Sequence, residues 1–214
     1  MCAEKTAAMP EQTPARPYCG AMPGERRAER RRKLVGAGYN LFGSSGFTNT
    51  RIEQVCAEAG VGIRALYEEF ENLNGLFRTV YDHVMDGAYE AVAAMFEQSR
   101  DASHEDRLRR FIHVYLHQML DDPRSGRIVS IESSRLDLFL GNHRKQTLNK
   151  FAALAAAVPQ ADTDLFNADI RVWSLMFAGG INETVVDAVL ARKRGDIDGL
   201  SRKIADLYIR TLKP

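Results

Sequence analysis

The sequence predicts an all-α protein of roughly nine helices, with a three-helix head at the front and a six-helix bundle behind it. Three observations point there. From Glu25 onward, apolar residues recur every three or four positions, as on a helix buried along one face. Valine, isoleucine and aromatic residues nowhere alternate with polar ones for long enough to make a strand. Glycine, proline and capping side chains punctuate these runs where helices would start and stop.

Residues 1–24, MCAEKTAAMPEQTPARPYCGAMPG, hold four of the seven prolines and show no apolar periodicity, so a disordered arm is expected there. In the first helix Leu34, Ala37, Leu41 and Phe42 share a face, and the run stops in the glycine-rich GSSGF. Thr50 is placed to cap the second helix, with Glu53 completing a capping box and Ile52, Val55, Cys56 and Ala59 as its apolar stripe. Gly60 ends it, supplying the left-handed backbone of a tight turn. A short third helix, about Gly62 to Phe70, turns Leu66 and Phe70 inward.

Leu73, Leu76, Phe77, Val80, Tyr81, Val84, Met85, Ala88, Val92, Met95 and Phe96 then describe one long helix. Ser103 and Asp106 fit a second capping box, followed by Leu108, Phe111, Ile112, Tyr115, Leu116, Met119 and Leu120. Pro123 is expected to break that helix. Ile128, Val129 and Ile131 lead into a helix holding Leu136, Phe139, Leu140, Leu148, Phe151 and Leu154, with Pro159 as its end. Thr163 to Arg192 reads as a long helix in which Gly179 and Gly180 would let a neighbour approach closely. Asp196 to Leu212 closes the chain, with Leu200, Ile204, Leu207, Tyr208 and Leu212 on one stripe.

At 214 residues, with 45% hydrophobic and 27% charged residues, the composition is that of an ordinary globular protein of one or two closely packed units. A net charge of +1 excludes a histone-like or coat-like nucleic-acid binder, so any affinity for a polyanion must be local. ERRAERRRK, residues 25–33, is such a concentration, with Arg26, Arg27, Arg30, Arg31, Arg32 and Lys33 against Glu25 and Glu29. Read alone, a run of this kind is a solvated helix start.

Cys2, Cys19 and Cys56 lack CxxC spacing, which suggests neither disulfides nor zinc. With no signal-peptide core and no long apolar run, a cytoplasmic protein off the membrane is expected. No GxSxG, P-loop or Rossmann glycines are present and no enzyme or cofactor is expected. His113 and His117, one turn apart, have metal-holding spacing but no HExxH glutamate and no obvious third ligand, so no metal is expected. Phe111, Tyr115, Met119, Trp173, Met176 and Phe177 form aromatic and flexible stripes of the kind that usually make core.

Residues 46–77, GFTNTRIEQVCAEAGVGIRALYEEFENLNGLF, resemble the DNA-binding segment of the TetR family of bacterial transcriptional regulators. The likeness rests on GF before a Thr cap, an amphipathic helix ending in AG-V, then LY-x-x-F and a leucine opening a long fourth helix. LMFAGGINETVV, 175–186, is similar to the penultimate helix with which family members dimerise. The resemblance implies a DNA-binding helix-turn-helix domain over 25–72 and a ligand-binding and dimerisation domain over 73–214. Thr50 and Arg51 would meet the DNA backbone, and Gly62, Ile63, Arg64 and Ala65 would form the groove-facing turn of the recognition helix. Tyr67 would reach a phosphate, Arg30 and Arg31 would add charge, and Glu68 would either accept from a cytosine amine or pair with an arginine. Gly62 and Leu73 depart from the usual Ser/Thr and Lys, which weakens the backbone contacts.

By the same resemblance Phe111, Tyr115, Met119, Trp173 and Phe177 would line a pocket for a small apolar or amphipathic effector, with Glu132 and Arg135 as charged candidates for its rim. Otherwise Glu132 and Arg135 are a surface pair. Ile181, Val185, Val189, Leu207 and Leu212 would be seam residues of a homodimer that binds a palindromic operator as a repressor until ligand releases it. The alternative is a helical ligand- or partner-binding module of the same shape that has lost operator binding.

Overall fold

The charged run Glu25–Lys33 makes the first part of the first helix polar, while Leu34, Ala37 and Phe42 give it one buried edge against which two short helices fold. The computed structural model describes residues 23–156, 166–191 and 195–211. Every regular element among them is helical: α1 (Pro23–Ser44), a 3₁₀ turn (Phe47–Asn49), α2 (Ile52–Ala59), α3 (Ile63–Phe70), α4 (Leu73–Gln98) and α5 (His104–Leu120). Then follow α6 (Pro123–Gly126), a π-helical turn (Arg127–Glu132), α7 (Ser133–Arg135), α8 (Asp137–Ala156), α9 (Phe166–Leu190) and α10 (Ile197–Thr211). Of the arm expected over 1–24, residues 1–22 fall outside the described residues, as do the ends expected at Pro159 and Thr163, while Pro23 and Gly24 belong to α1 rather than to an arm.

Gly60 closes α2 at φ 64, and the short α2 and α3 then pack beside α1 with Val55, Cys56, Ala59, Leu66 and Phe70 buried. Phe42, Phe47 and Phe77, with ring centroids 5.3–5.6 Å apart, join this head to α4. Asn72 caps α4 by accepting from the Gly75 N–H, and Ser103 caps α5 by accepting from the Asp106 N–H at 3.1 Å.

One expectation about caps is corrected. Thr50 does not cap α2: its buried hydroxyl donates to the Gly46 carbonyl at 2.8 Å and holds the preceding turn. The reciprocal bond comes from Gln54, whose side chain accepts from the Arg51 N–H at 2.8 Å, and Glu53 takes no part in it. α5 ends at Leu120, before Pro123 as expected, and Pro123 then opens α6 in the first-turn position where its missing N–H costs nothing, with Asp122 as cap accepting from the Arg124 N–H.

In the bundle α4 and α10 flank α5, and α8 packs on α9. The close approach expected at the glycine pair occurs at Gly180, where a Cβ would lie 2.4 Å from the Tyr208 hydroxyl, which donates to the Met176 carbonyl at 3.1 Å. One apolar core runs from Leu34 in the head to Ile209 in α10.

Candidate DNA-binding face, apolar pocket and dimer face

The amphipathic pattern of α3 turns Leu66 and Phe70 into the head and leaves Ile63 (44% exposed) and Tyr67 (52%) on the outer surface. Gly62, Ile63 and Arg64 are exposed and Ala65 is half-buried, so the first turn of α3 stands clear of the rest of the chain. Arg64 donates to Glu68 at 2.7 Å in a pair whose side chains are 91% and 50% exposed. An exposed i,i+4 pair of this kind contributes only about 0.3–0.5 kcal/mol, so Arg64 is easily exchanged onto another acceptor. Arg51, at the start of α2, is exposed, whereas the hydroxyl of Thr50 is turned inward and engaged.

The basic run is partly used within the head. Glu69, whose side chain is 2% exposed, receives Arg27 at 3.0 Å and lies 3.9 Å from Arg30. Arg31 donates to the Glu69 carbonyl at 3.2 Å and sits 4.5 Å over the Phe70 ring. Glu29 binds Arg32 and Lys33. These contacts fix the start of α1 on the far end of α3 and neutralise the acidic residue nearest it. Charge left for a polyanion is therefore smaller than the sequence run suggests.

A second site lies between α5, α8 and α9. Phe111, Tyr115, Leu148, Phe151, Phe177, Ala178 and Ile181 line a cavity of ≈ 20 Å³, room for one or two waters. Phe177 packs on Phe111 at 5.4 Å, and Phe151 on Tyr115 at 5.3 Å. Among the described lining residues Tyr115 carries the only polar side chain, and burial pushes its phenol well above the usual range, so it stays neutral.

Of the expected pocket residues, Phe111, Tyr115 and Phe177 meet here. Met119 is fully buried in the core and does not line the cavity. Trp173 stacks on Phe177 at 5.1 Å but turns away to donate to the Thr211 hydroxyl on α10. Leu148 and Phe151 of α8 form a third wall, and Ala178 and Ile181 complete the α9 side; the sequence predicts none of the four for the pocket, because their apolar spacing is that of ordinary core.

Glu132 is not at the rim of this cavity. Wholly buried, it accepts from the Phe47 N–H at 3.1 Å and from Arg127 at 3.2 Å, with Arg135 at 3.6 Å. It joins the bundle to the head rather than facing a ligand. Around it, Arg127 donates to the Ser44 carbonyl at 2.8 Å, Arg124 donates to Asn40 at 2.7 Å, and Tyr39 donates to Asp122 at 2.8 Å. The Arg124 guanidinium, helped by Tyr39, holds the Asp122 carboxyl below the ordinary carboxylate range.

The seam expected on α9 faces the other way. Ile181 and Val185 are buried within their own chain and Val189 is half-buried, while Leu212 lies outside the described residues. The apolar residues that do face outward are Val172, Leu175, Met176 and Leu190 on α9 and Leu207 on α10. His113 and His117 do have a third carboxylate neighbour: Asp198 of α10 lies 3.3 Å from His113 Nδ1 and 3.1 Å from His117 Nε2.

Residues 34–80 match the family model of bacterial regulatory proteins, tetR family. No curated protein sequence matches the chain. Among solved structures, a TetR-like transcriptional regulator from Rhodococcus sp. RHA1 is 17% identical with a TM-score of 0.68, covering 86% of this chain and 95% of that one. The fatty acid degradation regulator FadR from Bacillus halodurans is 15% identical, with a TM-score of 0.70 and coverage of 84% and 94%. FadR from Bacillus subtilis in complex with stearoyl-CoA is 16% identical, with a TM-score of 0.70 and coverage of 83% and 96%. The match to the family model is confined to residues 34–80, and over most of its length the chain shares the fold of these solved structures. No helix among the described residues is long and apolar enough to cross a membrane.

Proposed function

We propose that this chain, with its TetR-family head and TetR-type fold, is a sequence-specific DNA-binding repressor that works as a homodimer on a palindromic operator and is released by a small apolar or amphipathic ligand. The observation that carries this reading is the first turn of α3: Ile63, Arg64 and Tyr67 project outward from a helix whose other side is locked into the head. An exposed apolar residue beside an arginine and a tyrosine suits the major groove, where the first read a thymine methyl and the others base edges or phosphate.

Val172, Met176 and Leu190 of α9 and Leu207 of α10 support the dimer, as an apolar face left bare in a single chain. Two heads held one turn of duplex apart would then offer two copies of α3 to one face of the DNA. For the ligand, the cavity at Phe111, Tyr115 and Phe177 has the right chemistry, apolar with one hydroxyl, but at ≈ 20 Å³ it must widen to admit any organic molecule. The Bacillus subtilis FadR structure contains stearoyl-CoA, which supports an acyl chain or similar amphiphile as the class to screen first.

The test is a fluorescence-anisotropy titration with duplexes tiling the DNA upstream of the gene. The expectation is one specific site, with Arg64→Ala weakening it about tenfold or more, as loss of a good base or phosphate contact does. A second reading, a ligand- or partner-binding module without an operator, is favoured by the engagement of Arg27, Arg30 and Arg31 with Glu69. Binding that is weak, sequence-independent and unchanged by Arg64→Ala would favour that reading.

A further inference from the structure

We propose that His113, His117 and Asp198 form a binding site for a divalent transition metal of the zinc class, clamping α10 onto α5. The two histidines stand one turn apart on α5, so their rings lie on the same face, with centroids 4.4 Å apart. Asp198, from the first turn of α10, brings one carboxylate oxygen to 3.3 Å from His113 Nδ1 and 3.1 Å from His117 Nε2. The three candidate ligand atoms all lie within 4.8 Å of one another. Ligands around tetrahedral zinc at about 2.0–2.1 Å are separated by roughly 3.3 Å, so the two carboxylate–imidazole separations already match it.

The partner of the other ring nitrogen is the second observation. His117 Nδ1 lies 3.0 and 3.1 Å from the two carboxylate oxygens of Asp121. A neutral imidazole has one N–H; once Nδ1 gives it to Asp121, Nε2 presents a lone pair directly to the Asp198 carboxylate. Two such groups repel, so between them there must be either a second proton on the imidazole or a metal cation. Carboxylate to imidazole to metal is the arrangement that orients a ligating histidine and raises its basicity. Two imidazoles and one carboxylate suit zinc, nickel or cobalt rather than calcium or magnesium, and three protein ligands leave a position for water. The site is at the surface, with half of His113 and most of Asp198 accessible, so a metal can enter and a chelator can remove it.

The experiment uses the full chain, stripped with chelator and titrated with Zn²⁺ by calorimetry and with Co²⁺ by visible spectroscopy. One equivalent per chain is expected, with the d–d bands of four-coordinate Co²⁺ and no thiolate-to-cobalt charge-transfer band, which sets aside Cys2, Cys19 and Cys56 as ligands. His113→Gln and Asp198→Asn should each weaken Zn²⁺ binding at least tenfold. Asp121→Asn, which touches no metal, should weaken it by about 10–100-fold, as loss of an orienting carboxylate does. His83→Gln, at an exposed histidine elsewhere, should leave it unchanged. All four variants lie at the surface, and the Co²⁺ spectrum of the unsubstituted chain reads the site without any of them. No stoichiometric binding, a thiolate band, or affinity unmoved by His113→Gln and Asp198→Asn would each overturn the proposal and leave a cluster of His–Asp ion pairs.

Discussion

Replacing Glu132 with alanine should loosen the head from the bundle, and the size of the effect can be worked from its partners. The carboxylate is wholly buried and accepts from the Phe47 N–H and from Arg127. Truncation leaves that backbone donor without a partner, at about 1–3 kcal/mol. Arg127 is about a third exposed and can recover water, so its loss adds about 1 kcal/mol rather than the larger penalty of a stranded interior charge. A total near 3 kcal/mol corresponds to roughly 6–12 °C in a protein of this length. Thermal denaturation followed by circular dichroism, at one fixed protein concentration because association shifts the midpoint, is the assay. Glu132→Gln keeps the volume and an acceptor for Phe47 and should recover part of the loss. A midpoint within about 1 °C of the parent for Glu132→Ala would refute the joint, and equal loss for Ala and Gln would show that the Phe47 bond contributes nothing.

Three further outcomes follow from single contacts. Gly180→Ala places a methyl 2.4 Å from the Tyr208 hydroxyl, which must swing off the Met176 carbonyl. The expected cost is about 1–2 kcal/mol by urea denaturation, and no change would mean that the ring moves freely. Tyr81 is buried and its phenol is pushed up to about 12, so the folded state keeps a proton that the unfolded chain loses near its ordinary value of 10.0. Its contribution is complete below pH 10.0 and disappears as pH rises toward 12; Tyr81→Phe should flatten the alkaline limb of stability against pH by about 2–3 kcal/mol, and parallel limbs would contradict this. Leu207→Asp, on the bare face of α10, should convert a dimer to a monomer by light scattering, whereas an unchanged mass would place the interface elsewhere.

Sequence was a good guide wherever a local signal decides the structure. Gly60 in a left-handed turn, Ser103 as a cap, and the long stripe from Leu73 to Phe96 depend on neighbours within a few residues. The Asp-Pro pair at 122 and 123 is a local signal of the same kind, an aspartate cap followed by a first-turn proline. What the sequence left hidden depends on residues far apart. Asp198 meets His117 of α5 across 81 positions, and Glu132 finds the Phe47 N–H across 85. α9 is a different case, since it is apolar on two sides. Phe177, Ile181 and Val185 face the core while Val172, Met176 and Leu190 face out, so no periodicity distinguishes interior from seam.

How a ligand in the pocket would reach DNA follows from the inward side of α9. Ile181 lines the cavity, and one turn along, Val185 presses on α6 at Gly126, where a Cβ would lie 2.8 Å from the Met119 carbonyl of α5, 2.9 Å from Val185 and 3.0 Å from Val189. Arg127 follows directly and holds the Ser44 carbonyl at the end of α1, while Glu132 holds Phe47. A ligand that spreads the pocket walls must move α9, and the close fit at Gly126 means that α6 moves with it. Contiguity alone does not establish coupling; what matters is that the ligand has different affinities for the two placements of the head. Gly126→Ala mimics the push without ligand, so under the proposed function it should weaken operator binding while leaving Ile63, Arg64 and Tyr67 untouched. Anisotropy titration of that variant, folded by circular dichroism, decides the matter: full operator affinity would show that α6 and the head move independently and that release takes another route.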